Sequence, residues 1–384
     1  MAHYNTILNQ LLTHIPRHQF DRLTRGHRSD RYVKRFSTWN QLTTLLYAQA
    51  SDKSSLRDIQ NALAAQGAKT YHLGLPRVCR STLAEANAQR SYRTYEVVFY
   101  QLLDRCRSLT PKHKFRFHNP LYTWDATTID LCLAMFPWAR FRTAKGAIKL
   151  HYQLTHAGHL PDLLVVTDGK GHDLSVAKQN FPLIPDSIYC FDRGYLDFPW
   201  FRRIEAMGAY FVTRLKTNIT YRITGQHNPS KNKHVLLDVP IERTNADDGP
   251  LPLRLVRYRD PETGRVFDFL TNNTRLAATT IAAIYKARWQ IEAFFKWLKQ
   301  NLKIKTFLGT TKNAVMTQIW VAMIYYLLLA YLKYQTKCRF SLFYLHRLIQ
   351  ETLLDRLGLL DLVNLTSARR HALARDHPQL VFGF

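Results

Sequence analysis

Acidic residues are scarce in this chain of 384 residues: 28 Asp and Glu stand against 54 Lys and Arg, a formal charge of +26 with His neutral. Glycine and proline are thin as well, at 15 each, while hydrophobic residues make up 46% and aromatics 12%. That balance excludes a disordered or low-complexity chain, because the apolar material for a packed core is ample. Cysteine is rare. Cys79, Cys106, Cys132, Cys190 and Cys338 are an odd number, widely scattered, with no CxxC pair. Neither a zinc site nor a disulfide framework is indicated, and a reducing cytoplasm is the expected setting. Long hydrophobic runs are missing too. The longest, Ile319 to Leu332, has 14 residues, short of the ~20 that a spanning helix needs. A buried core helix is expected there, and no membrane. The first residues carry no sustained apolar stretch of the secretory kind. What remains is a multi-domain protein whose most economical partner is a polyanion, nucleic acid.

The positive charge is not confined to an arm. Residues 1–120 hold 19 Lys and Arg against 7 Asp and Glu, a net of +12, and the rest of the chain carries +14. One cluster is dense: Arg22, Arg25, Arg28, Arg31, Lys34 and Arg35. It reads either as a solvated helix face or as a phosphate-binding strip, which the global surplus favours.

The first ~110 residues lack strand alternation and read as helical. Two capping signals stand out, Ser55 with Asp58 and Thr82 with Glu85, each opening a helix. Two capped helices across a Gly- and Pro-containing connection resemble a helix-turn-helix, though the connection is long. A plain helical packing module fits the same residues. From residue 119 the texture changes. Strands are expected at 121–133, 147–156 and 160–168, a helix at 173–181, a strand at 187–194, a helix at 198–208 and a strand at 209–215. This mixed order implies an α/β sheet with helices on its faces. Residues 216–272 alternate and are β-branched, with strands expected at 218–225, 234–242, 251–260 and 265–272 and turn-rich pieces at 227–233, 244–250 and 260–264, a β-rich insertion. One long helix is expected from Ala278 to Leu302, followed by a mostly helical remainder.

Within that helix, at about 100° per residue, Tyr285, Arg288, Glu292 and Lys299 fall within a sector of about 60°, beside an apolar face. A surface helix with an i,i+4 ion pair gives the same pattern. Two further acids add weight. Asp125 lies inside a β-branched strand, where Asp is unfavourable without a purpose, and Asp192 ends a strand beside a Gly turn, where α/β sheets bind ligands. Three acids in a strongly basic chain ask for divalent cations, and hard oxygen donors suit Mg²⁺. His172 is the only histidine near this group in fold order. Trp289 and Trp297 lie off the apolar face, suited either to stacking on a flipped base or to packing. Arg254, Arg257 and Arg259 on the insertion read either as DNA contacts or as a solvated sheet edge.

Together, Asp125, the DRGY of Asp192 to Tyr195, the intervening insertion and the Y-x2-R-x3-E-x6-K pattern of Tyr285, Arg288, Glu292 and Lys299 resemble the DDE transposases of the IS-four family of bacterial insertion sequences. The head of the chain is similar to the helical N-terminal domain of many of these enzymes, and the resemblance spans roughly residues 5 to 335. It implies an α/β, RNase H-like catalytic core interrupted by the β-rich insertion, with helical N- and C-terminal parts. The boundaries that follow are 1–115 for a DNA-binding domain, 116–312 for the core with its insertion at about 216–272, and 313–384 for a helical C-terminal region.

The resemblance also implies that Asp125, Asp192 and Glu292 are catalytic and bind two divalent ions, Mg²⁺ or Mn²⁺, ~3.5–4 Å apart, with Asp125 bridging. Tyr285, Arg288 and Lys299 would hold DNA phosphates. The implied reaction is cut-and-paste transposition: cleavage at the transposon ends, then strand transfer into target DNA. Terminal inverted repeats and target duplex would be the partners, a dimer would act in the DNA complex, and the setting would be the bacterial cytoplasm at the nucleoid. Two other readings keep the residues: a metal-dependent nuclease without strand transfer, and a non-catalytic DNA-binding repressor.

Overall fold

The computed structural model describes residues 5–142, 145–227, 231–243, 251–302, 304 and 306–364. The turn-rich pieces expected at 227–233 and 244–250 fall partly or wholly outside these residues, as does the end of the expected C-terminal region, 365–384. Two compact units divide the chain: Pro111–Lys296, and Met1–Thr110 together with Trp297–Phe384.

The first unit is built on one ten-stranded sheet. Its strands are β1 (Leu121–Leu131), β2 (Arg140–Arg142), β3 (Lys145–Thr155), β4 (Pro161–Asp168), β5 (Ile188–Phe191), β6 (Tyr210–Arg214), β7 (Tyr221–Ile223), β8 (Val235–Arg243), β9 (Leu253–Arg259) and β10 (Val266–Thr271). β1, β3 and β4 form an antiparallel meander, and β5 and β6 then run parallel to β1. The order β4-β3-β1-β5-β6 is that of an RNase H-like core. The insertion does not form a sheet of its own. β10 pairs antiparallel with β6, and β9, β8 and β7 continue outward from it.

Helices cover both faces, because successive side chains of each strand point to opposite sides. On one face Trp124 stacks on Tyr189 at 4.3 Å and Trp200 at 4.7 Å. This aromatic layer includes residues of α7 (Asp173–Asn180) and α8 (Phe198–Ala206). On the other, Leu121, Ile188, Cys190, Val212 and Phe269 meet Ile281 and Ile284 of α9 (Ala278–Ala287). The single helix expected from Ala278 is two. Arg288 donates its N–H to Tyr285 at 3.1 Å and accepts from Ile291 at 3.0 Å. These three-residue bonds tighten the chain at Arg288, and α10 (Trp289–Asn301) follows. The division between the units falls within α10.

The second unit holds α1 (Ile7–Leu12), α2 (Arg17–Gly26), α3 (Thr38–Ala50), α4 (Leu56–Ala65), α5 (Arg80–Gln89), α6 (Arg93–Arg107), α11 (Lys312–Gln335), α12 (Leu342–Thr352) and α13 (Leu359–Asn364). Ser55 caps α4 as expected, accepting from Asp58 N at 3.0 Å. Thr82 caps nothing, because α5 starts earlier, at Arg80, whose N–H is taken by Gln60 Oε1 at 2.7 Å. α11 is apolar on every side and long enough to cross a membrane by length and composition, yet it is buried throughout its apolar window. It is the core helix of this unit: Cys106 of α6 donates to Leu327 O at 3.5 Å, and Asn313 donates to Asn87 O at 2.9 Å and Arg90 O at 2.7 Å. The two ends of the chain are joined as well. Ile7 N bonds Asp355 O at 3.1 Å, and Leu8 N bonds Leu353 O at 2.9 Å.

Of the three insertion arginines, Arg254 is not on a surface. β9 lies between β8 and β10, so it is not a sheet edge. Arg254 is buried and forks onto Asp238 with two bonds of 2.7 Å, while Arg257 pairs with Asp268 at 2.7 Å. Arg259 is exposed. Replacing Arg254 by Ala should strand the Asp238 charge and cost about 3–5 kcal/mol in urea unfolding, with DNA affinity unchanged. Lost affinity at unchanged stability would return Arg254 to the DNA surface.

Candidate active site

Strand register assembles the site. Leu121, Thr123 and Asp125 share one face of β1, and Ile188 and Cys190 share the same face of β5. The parallel pairing runs Leu121 to Ile188 and Thr123 to Cys190, so the next same-face partners are Asp125 and Asp192. The pairing of β5 with β6 runs Ile188 to Tyr210 and Cys190 to Val212, which sets Arg214 beside Asp192 in turn. Asp125, Asp192 and Arg214 thus form a row across three neighbouring strands.

Asp192 also ends β5. Its Oδ1 accepts from Gly194 N at 2.7 Å, opening a 3₁₀ turn over Arg193–Tyr195, and its carbonyl accepts from Thr213 Oγ1 at 3.2 Å. Gly194 is required for space: a Cβ there would lie 2.8 Å from Asp192 Oδ1.

The break at Arg288 delivers the remaining groups. Arg288 Nη2 bonds Glu292 Oε1 at 2.7 Å, and Nη1 lies 3.6 Å from Asp125 Oδ2. Its guanidinium stands 5.5 Å from the ring of Tyr285, which packs on Phe269 at 5.0 Å. Arg288 is largely buried, and among the described residues its Nε has no acceptor. Lys299 lies farther along α10, on the stretch belonging to the helical unit.

Burial pushes the Asp125 carboxyl up to about 6. Its bond from Ala126 N at 2.8 Å and the Arg288 charge pull it down, while Asp192 and Glu292 push it up again. The buried Tyr195 phenol is raised well above its ordinary value, first by desolvation and then by Asp125, Asp173 and Asp192. Among the described residues, no three carboxylate, imidazole or thiolate groups stand close enough to hold an ion as they are. The donor chemistry nonetheless fits a hard divalent cation: Asp192 and Glu292 raise the proton affinity of Asp125, and all three offer hard carboxylate oxygens.

His172 is exposed at the head of α7 and makes no side-chain cap. The histidine at this end of the sheet is His151, bonded to Thr167 at 2.9 Å, 3.5 Å from Asp173, and pushed down to about 4 by burial. Trp289 is 67% exposed, whereas Trp297 packs edge-on against Tyr326 at 5.1 Å. Arg214 and the Lys149–Asp173 pair at 3.0 Å were not singled out by sequence. Register alone identifies Arg214, and no local pattern in VTRL signals it.

Residues 121–328 match the family described as the transposase DDE domain, and residues 3–76 match a domain of unknown function, DUF4372. Among curated relatives, y4zB of Sinorhizobium fredii, named as a transposase, is 32% identical over 253 residues, 64% of this chain and 69% of its own. A Geobacillus stearothermophilus protein, named as the transposase of insertion sequence element IS5377, is 32% identical over 267 residues, 69% of this chain and 70% of its own. A solved chain in the synaptic complex of piggyBac transposase with hairpin DNA aligns over 97% of this chain and 83% of its own, at 10% identity and a TM-score of 0.45. That likeness is too distant to carry weight. An RNase H-like sheet with a matched DDE domain places the protein among enzymes that act on DNA. The chain belongs to the DDE transposase family and is a DNA transposase of the insertion-sequence kind.

Two predictions follow from the geometry. The raised Asp125 value means that its protonated form favours the fold: that contribution is complete below the ordinary carboxylate value of 3.8 and is lost as pH rises through about 6. Metal-free Asp125→Asn should therefore exceed the parent in stability at pH 8, by up to about 3 kcal/mol at ~1.36 kcal/mol per unit. The gain should vanish below pH ~4. Equal melting temperatures at pH 8 would remove the buried-charge account. Gly194→Ala should displace Asp192 and lower the affinity for Mn²⁺, read by electron paramagnetic resonance, without unfolding the protein.

Proposed function

We propose that this transposase is of the IS-four kind and moves its element by cut-and-paste, with Asp125, Asp192 and Glu292 as catalytic metal ligands. The observation that carries this reading is the in-register pair Asp125 and Asp192, tied to Glu292 through Arg288. Asp125, Asp192 and Glu292 would hold two Mg²⁺ or Mn²⁺ ions, which would supply a more acidic water nucleophile and stabilise the departing oxygen. The chain's own part is positioning. Arg288 presents a guanidinium whose Nε has no acceptor among the described residues, and a DNA phosphate satisfies it. Phosphate binding also draws Arg288 away from Asp125 and Glu292, freeing both carboxylates for the ions. Lys299 adds a point charge farther along α10, and Tyr285, braced on Phe269, orients its phenol toward the same backbone. Arg214, beside Asp192, is a further cation for the strand end. Exposed Trp289 is free to stack on a flipped base.

The reaction is hydrolysis at each transposon 3′ end, after which the 3′-OH attacks target DNA, directly or by way of a hairpin on the opposite strand. Residues 1–115 form the domain that binds the terminal inverted repeats, residues 116–312 the catalytic domain, and two ends require two chains, so the protein acts as a dimer on bacterial DNA in the cytoplasm.

The test is incubation of the full chain with its own terminal repeats, a target plasmid and Mg²⁺. Cleaved and joined products are expected. Asp125→Asn, Asp192→Asn and Glu292→Gln should each lower their formation by at least about 10²–10³-fold. Cleavage without joining would favour a nuclease, and binding without cleavage a repressor. End binding should also weaken steeply with salt, with a log–log slope near −0.9 per phosphate neutralised. A flat response would sink the phosphate grip of Arg288 and Lys299.

A further inference from the structure

We propose that the last turn of α2 and the loop joining it to α3 form the surface that grips double-stranded DNA, with Arg28 and Arg31 on phosphates and Tyr32 against a sugar or base edge. This rests on the reading of the head of the chain as the end-binding domain, and it names the surface within it.

The positive charge of this surface is not neutralised within the protein. Arg22, Arg25, Arg28, Arg31, Lys34 and Arg35 are all exposed, and among the described residues none has a carboxylate partner. The two acids of this stretch are engaged elsewhere. Asp21 pairs with Arg17 at 2.9 Å, and Asp30 accepts from both Thr38 N and Thr38 Oγ1 at 2.7 Å. A one-signed field of this density repels itself until a polyanion arrives. Arg17, Thr24, Arg25, Arg28 and Arg31 also line an open hollow of about 790 Å³, with Asp21 and Asp30.

The loop is also preorganised. Arg28 (φ 51°) and Tyr32 (φ 62°) are both left-handed, a backbone that side-chain-bearing residues adopt at a cost. The loop is pinned on both sides of them. Ser29 N bonds Thr24 O at 3.0 Å, Val33 N bonds Asp30 O at 3.1 Å, and Arg90 holds the Phe36 carbonyl. A fixed loop loses less entropy on binding than a free one.

An aromatic ring stands beside these cations. Tyr32 is 84% exposed, with Arg31 4.8 Å over its ring and 2.8 Å from its hydroxyl. This flat, exposed cationic plate suits a nucleic-acid edge. The other candidate, α5 as a recognition helix, lacks such a footprint: Arg80 and Glu85 are its only charges.

The test uses the full chain and a labelled duplex carrying its own terminal repeat, with anisotropy read from 50 to 400 mM salt. The double variant Arg28→Ala, Arg31→Ala should reduce the log–log salt slope by about 2. Tyr32→Ala should weaken binding roughly tenfold at unchanged slope. Circular dichroism should show both variants folded, since the side chains are exposed. An unchanged slope in the folded double variant overturns the proposal, as does a larger loss from Arg80→Ala, which moves binding to α5. Failure of the reading beneath it is separate: it appears as parent protein that binds its own terminal repeat no more tightly than a duplex of unrelated sequence.

Discussion

Asp125 and Asp192 are like charges set side by side by the parallel pairing of β1 and β5, and the surrounding structure is arranged to tolerate that placement. An aligned pair of carboxylates at strand ends is costly in a protein interior. Arg288 offsets part of the cost by reaching Asp125 and Glu292 together. It can do so because the chain tightens between α9 and α10. α9 in turn is anchored by Ile281 and Ile284 against the same sheet face that carries the acids. Gly194 clears the space in which the Asp192 carboxylate turns. Asp125 keeps a raised proton affinity all the same, first because it is buried and then because Asp192 and Glu292 lie near.

Most of the sheet was legible because strand residues announce themselves locally. The β-branched runs and their turns predicted nine of the ten strands, and only the three-residue β2 was not foreseen. The Tyr285, Arg288, Glu292 and Lys299 spacing pointed to the right helical region. What could not be read was pairing. Whether the insertion folds alone or extends the core depends on β10 lying against β6, a contact that no local pattern states. The same holds for Arg214, visible only once β5 and β6 are in register. Arg254 looked like a surface cation because burial of Arg requires a partner, Asp238, sixteen residues away on another strand. The break at Arg288 escaped a helical-wheel reading, which assumes an unbroken helix. Thr82 failed as a cap because a side chain from another helix, Gln60, supplied the earlier start.

The helical unit follows a different logic. α11 has no polar side, so it can be stable in water only when surrounded. α3, α5, α6 and α12 provide that surround. An apolar stretch of this kind, taken alone, has the composition of a membrane span; here, helices from both ends of the chain line it instead.

That arrangement has a consequence for synthesis. α6 ends at Arg107 and its partner α11 begins at Lys312, with the whole sheet unit between them. A ribosome adding roughly 5–20 residues per second leaves the head of the chain waiting roughly 10–40 s for its central helix. The sheet unit is contiguous and emerges complete during that interval. A nascent or truncated chain therefore holds the full row of carboxylates while its helical unit still exposes the apolar surfaces meant for α11. Such fragments are natural targets for chaperones and proteases, which gives the cell a way to discard incomplete chains before they act.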